Sequence, residues 1–135
     1  MKKYCVYIVL LSILLTGSSA SAQVPVINSY TPASATVYLD FDGAEVEGTI
    51  WNEHGKIIAD PSGLSPASIT WIHKLISEHF KLFNLNITTD PSVYERAPVR
   101  QRVRIIFTTD GNWYGPVTGL SAIGSFVWGL SLIHI

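Results

Sequence analysis

The feature that most constrains this chain is one long amphipathic helix set between two apolar strands. From about residue 66 to 83, Ile69, Ile72, Ile76, Phe80 and Phe83 recur at helical spacing. Ser65 supplies an N-cap, and Pro66 follows in the first turn, where its missing N–H costs nothing. The stripe predicts one buried face, with Thr70, His73, Lys74, Ser77, Glu78 and Lys81 on the wet one. Ahead of the helix, residues 36–41 (TVYLDF) are β-branched and aromatic and stop at Asp42-Gly43. Behind it Asn84 closes the helix, residues 85–89 read as a second strand, and Asp90-Pro91 ends that strand. A strand, a helix and a strand in succession imply parallel pairing across a crossover.

Residues 102–109 predict a third strand before the Asp110-Gly111-Asn112 turn, and residues 122–128 a fourth. The stretch 46–58 reads as a short hairpin or an irregular excursion. Arg96, Arg100, Arg102 and Arg104 alternate with Val99, Val103 and Ile105, which reads as the wet face of a strand. No internal repeat stands out. The expected class is α/β (α+β): a mixed twisted sheet with packed helices in a single domain, the chain being too short for two.

The first 22 residues form a separate unit. Lys2 and Lys3 precede an apolar stretch of about a dozen residues, the Gly17-Ser18-Ser19 break follows, and Ala20-Ser21-Ala22 supplies small residues. The apolar run is too short for a bilayer core of ~30 Å. Residues 1–22 are therefore expected to be a signal peptide cleaved after Ala22, giving a secreted or periplasmic product without stable membrane association. Removing the leader takes away the sole cysteine, Cys5, so no disulfide can form and stability must come from the core, a bound ion or further segments. It also removes two of the nine basic residues, leaving seven against ten acidic ones. That balance does not favour nucleic acid as a partner. Residues 23–35, rich in Pro, Ser, Thr and Ala, read as a linker or extended arm, and residues 36–129 as the domain. Residues 130–135 (LSLIHI) break the pattern and resemble a translated adapter tail, to be kept out of fold reasoning.

The histidines do not form a metal site by spacing. There is no HExxH, and His73 and His79 are six apart on the helix and point in different directions, as surface or boundary residues would. His54 sits in a turn-like stretch and His134 in the tail. Ser125 follows Gly124 but lacks a GxSxG frame. Asn86-Ile87-Thr88 is formally a glycosylation sequon, but it falls inside a strand. Asp40-Phe41-Asp42-Gly43 is the one spacing that suggests catalysis. Two aspartates at i, i+2 leaving a strand resemble the first motif of haloacid-dehalogenase-type phosphatases, with Asp40 as nucleophile and Asp42 as general acid. That family also needs a lysine beyond the next strand end, and none follows Lys81. The plain alternative is that Asp40 and Asp42 cap a turn or hold a structural cation.

Four separated stretches in order resemble a family of bacterial secreted zinc metalloproteases of metzincin (reprolysin-like) type. They are the LDFDG strand end, Leu82-Phe83-Asn84 with Ile87-Thr88-Thr89-Asp90, the Trp113-Tyr114-Gly115 turn, and Gly124-Ser125-Phe126. The resemblance runs from about Val37 to Gly129. It implies a mixed sheet with helices behind it, a cleft beneath an edge strand, and a helix carrying HExxHxxGxxH. There three histidines hold zinc and the glutamate acts as general base on the zinc-bound water. That helix is absent from this sequence, so the resemblance assigns no catalytic or metal-binding residue to a numbered position. Zinc is expected only in the full-length protein, and the 135-residue chain is expected to be an inactive N-terminal part of the catalytic domain. The resemblance does assign an edge strand, Ala122, Ile123, Gly124, Ser125 and Phe126, along which a protein or peptide substrate would lie by strand addition. A third alternative is a secreted, non-catalytic binding module using the same open edge.

Overall fold

The computed structural model describes residues 23–53, 55–111, 115, 119–121 and 131–134. Its elements in chain order are β1 (Ala35–Asp40), β2 (Ala44–Val46), β3 (Ile57–Ala59), α1 (Pro66–Phe80), β4 (Leu85–Thr88), α2 (Pro91–Arg96), a 3-10 turn (Val99–Gln101), β5 (Arg102–Phe107), β6 (Gly119–Leu120) and β7 (Ser131–His134). Five strands form one sheet in the order β4-β1-β5-β7-β6, and β2 and β3 form a separate antiparallel hairpin. β1 runs parallel to β4 and β5, β5 parallel to β7, and β6 is antiparallel at the edge. The fold is α+β with a mixed sheet.

Alternation along β1 gives the sheet two different faces. Val37 and Leu39, continued by Phe41, point to one side, where Ile87 and Val103 flank Val37 in register and Ile105 flanks Leu39. α1 covers this side with Ile69, Ile72 and Ile76. Ser65 caps the helix as expected, its Oγ accepting from the Ser68 N–H at 3.1 Å. The expected stripe stops early, however, since the helix ends at Phe80 and a tight turn leads to β4, with the Phe83 N–H donating to Phe80 O at 2.9 Å. Phe80 and Phe83 stay 44% and 61% exposed.

His73 corrects the expected wet face. It lies four residues after Ile69, hence on the same side of the helix. It is buried there, its Nε2 3.0 Å from the Ile87 carbonyl oxygen of β4. Position, not residue type, decides where it points.

Thr36, Tyr38 and Asp40 point to the opposite side, together with Asn86, Thr88, Arg102, Arg104 and Ile106. α2 and the β2–β3 hairpin cover it, the hairpin packing Val46, Ile57 and Ala59 on Ile106. α2 lies in a stretch for which the sequence predicts no element beyond the strand end at Asp90-Pro91. Asp90 caps it by accepting from the Ser92 N–H at 2.8 Å, and Pro91 follows. This layer overturns the wet-face reading for Arg102 and Arg104, whereas Arg96 and Arg100 are exposed, on α2 and the 3-10 turn instead of on a strand. The Arg102 side chain is 17% exposed, stacks on Tyr94 at 4.5 Å, and donates through Nη1 to the carbonyls of Tyr94, Glu95 and Ala97 at the end of α2. Arg104 pairs with Asp40.

Residues 24–30 form an arm antiparallel to the outer edge of β4, meeting it at an Asn28–Thr88 bridge. The Ser29 N–H donates to Ile87 O at 2.9 Å and the Thr89 N–H to Ile27 O at 3.0 Å. Side chains complete the seam: Thr89 Oγ1 accepts from the Ile27 N–H, Asn86 Oδ1 from the Tyr30 N–H, and Ser29 Oγ from the Ile87 N–H. Asn86, the sequon residue, is thereby 3% exposed. The strand expected at 122–128 lies outside the described residues. Ser131–His134, in the stretch set apart as a tail, forms β7 alongside β5.

Candidate functional site: the carboxyl end of the parallel strands

Open sheets built from parallel strands present their ligands beyond the strands' carboxyl ends, where connections leave in opposite directions. β1 is such a point, because the path from it leads to β4 on one side and later to β5 on the other. Its last residue, Asp40, is 1% exposed. Oδ1 accepts from the Asp42 N–H at 3.0 Å, while Oδ2 accepts from Arg104 Nε at 2.7 Å and also from Nη2. Arg104 in turn lies 5.9 Å from the centre of the Tyr38 ring. Burial first, then the Asp40 charge, push the Tyr38 hydroxyl well above its ordinary range and keep it protonated.

The turn after Asp40 depends on Gly43. Its φ is +86°, and a Cβ there would stand 2.7 Å from Ala59 O and 2.9 Å from Pro61 N. Only glycine permits both the left-handed backbone and that approach. The loop is held from the other side by the Ser62 N–H donating to Phe41 O at 3.0 Å. Asp42 thus sits in a fixed place, with its carboxyl pushed above the ordinary range by partial burial and by the Asp40 charge.

The same device ends two more strands. Thr88 Oγ1 accepts from the Asp90 N–H at 2.9 Å after β4, and Thr108 Oγ1 from the Asp110 N–H at 3.2 Å after β5. Each turn places an aspartate two residues beyond the strand's last inward polar side chain. The signal was available in the tripeptide Thr-Thr-Asp, which occurs at 88–90 and again at 108–110. A search for long repeats passes over it.

These geometries limit the chemistry. A carboxylate nucleophile needs a free oxygen facing its substrate, and both oxygens of Asp40 are occupied in a buried position. The arrangement therefore speaks against Asp40 as a phosphatase nucleophile, and Asp40 acts as the turn's acceptor. Among the described residues no three His, Cys, Asp or Glu side chains stand together as metal ligands. His79 is exposed, its Nδ1 2.8 Å from Leu75 O, His54 lies outside the described residues, and only the backbone of His134 is described. Ala122, Ile123, Gly124, Ser125 and Phe126 also lie outside them.

A larger groove, of about 780 Å³, runs between the arm, α1 and β4. It is far from the strand ends in chemistry as well as place. Of its charged residues Lys74, Glu78 and Lys81, the last two pair with each other at the surface, and the buried His73 on its floor already contacts Ile87 O. Comparison with protein-family models, with curated proteins and with solved structures finds no match for this chain.

Proposed function

We propose that this chain is the N-terminal part of the catalytic domain of an exported zinc-dependent metalloendopeptidase of metzincin type, with a leader removed after Ala22. The observation that carries the reading is the asymmetry of the sheet's two edges. At one end the arm covers β4, leaving little room for another strand. At the other, the last strand among the described residues is the antiparallel β6, which there has a sheet neighbour, β7, on one side only. A peptide laid beside such a strand is held main chain to main chain, which suits an enzyme that must bind many sequences in extended form. The stretch expected to bind substrate, 122–126, begins two residues after β6.

The described residues do not fit a catalytic zinc site, which needs about three converging protein ligands. On this reading the ligands belong to an HExxHxxGxxH helix encoded beyond Gly129, and no step of the reaction is assigned to residues of this chain. The test is to express the extended reading frame beside residues 23–135, which keep β7 and with it the edge strand β6. Stoichiometric zinc by elemental analysis and chelator-sensitive casein cleavage are expected only from the extended protein. A zinc-free, inactive extended protein would overturn the family, and zinc with proteolysis in the short chain would overturn the placement of the ligands.

A further inference from the structure

The beginning of the arm lies at the same end of the sheet as Asp42. Because the arm is antiparallel to β4, it enters beside Thr89, whose Oγ1 donates to Pro25 O at 2.5 Å. Val24 then packs against the core cluster under α1 and shares with Phe41, Asp42, Leu64 and Ile69 the wall of a cavity of about 230 Å³. Gln23 is the next residue outward, one Cα step of about 3.8 Å away. Asp42 has no cationic partner among the described residues, because the one arginine at this strand end, Arg104, is committed to Asp40. The neighbouring carboxylate, Asp90, is engaged as the cap of α2.

We infer that the α-ammonium created at Gln23 by removal of the leader settles beside Asp42 as its counter-ion, so that processing completes the charge balance of the β1 strand end. This rests on the proposed cleavage after Ala22. It assigns Asp42 a positioning role toward the new terminus, and it gives the arm's first residues a reason to return to the cavity instead of trailing in solvent. It also makes a chemical statement about Gln23. An N-terminal glutamine cyclises when its neutral amine attacks its own side-chain amide, forming the new N–C bond and expelling ammonia. An ammonium held by a carboxylate is slower to lose the proton that this attack requires.

The full chain, leader included, is expressed for export and the product is read by N-terminal sequencing and mass. Its α-amine is then followed at neutral pH by cyclisation, seen as loss of ammonia, and by acylation with a small amine-directed reagent. In Asp42→Asn both reactions are expected to run about two- to fivefold faster than in the parent, the range of a solvent-accessible ion pair. Asp60→Asn, which removes a nearby exposed carboxylate, should leave them unchanged, and Asp42→Glu should retain most of the protection. If Asp42→Asn does not accumulate, Asp42→Glu against Asp60→Asn still decides, because loss of protection in the second with retention in the first would move the ion pair to Asp60. A product beginning at Gln23 with equal rates in Asp42→Asn and parent would overturn the ion pair while leaving the processing intact. A product beginning elsewhere would overturn the processing and the ion pair together.

Discussion

The two faces of the central sheet are built from the same strands on opposite principles. Under α1, Val37, Leu39, Ile87, Val103 and Ile69 meet with no polar partner required, and the contact is as strong as the area it removes from water. Under α2 and the hairpin, Tyr38, Asp40 and Thr88 are buried and Arg102 and Arg104 half-buried, yet almost every polar atom must find a specific partner. The first face defines a volume and the second defines directions. The second face also carries the β1 strand end, where hydrogen bonds to Asp40 Oδ1 and Phe41 O join the packing of Phe41 in holding the turn that positions Asp42.

The largest test of that contrast is Ile69→Asp on the apolar face. It buries a charge with no partner and should cost at least about 4 kcal/mol, enough to prevent folding, whereas Ile69→Val should cost about 1 kcal/mol. Equal denaturation midpoints for the two would show that the face is not a sealed core. Next comes Arg104→Leu, which strands Asp40 and should cost about 3–5 kcal/mol, while the double change Asp40→Asn with Arg104→Leu should recover most of the loss. A double-mutant cycle with no coupling would erase the distinction between the faces. Gly43→Ala should cost about 1–3 kcal/mol through backbone strain and the clash at Ala59 O. An unchanged melting temperature would mean the turn is not pinned.

The smallest test compares the two helix caps. Ser65→Ala and Asp90→Ala should each cost about 1 kcal/mol at neutral pH. Only the second should depend on acid. Hydrogen bonding from Ser92 holds the Asp90 carboxyl below its ordinary value of 3.8, so its contribution is complete above that value and disappears as pH falls through the lower folded value. Chemical denaturation from pH 6 to pH 2 should therefore show the Asp90→Ala deficit shrinking while the Ser65→Ala deficit stays level. Parallel curves would remove the carboxylate from the cap.

The apolar face was legible in the sequence because hydrophobic spacing reports it directly: α1, its Ser65 cap and the β-branched run of β1 all follow from period and residue type. The polar face was not. Arginines alternating with valines look the same whether they meet water or a second layer, so Arg102 and Arg104 were misread. α2 has only six residues, too few to show a period, although its Asp90-Pro91 start repeats the Ser65-Pro66 pattern of α1. His73 was misplaced by its polarity when its spacing from Ile69 was the better guide. At the candidate site, Asp40-Phe41-Asp42-Gly43 was recognisable as a strand end, but its occupied carboxylate depends on Arg104, 64 residues away in sequence.

The arm has one more consequence, for the order of assembly. It is joined to β1 by a few residues, yet β4 lies between them in space, so the two cannot zip together as a local hairpin. Every side-chain bond that seats the arm spans 56 to 64 residues. Those contacts become reachable only after α1 has carried the chain back and laid β4 beside β1, because closing so long a loop is unfavourable until its ends are already held near each other. The arm is thus a clasp that shuts last and opens first. Ile27→Ala should accordingly speed unfolding and leave the folding rate unchanged, and a slowed folding rate would place the arm in the nucleus.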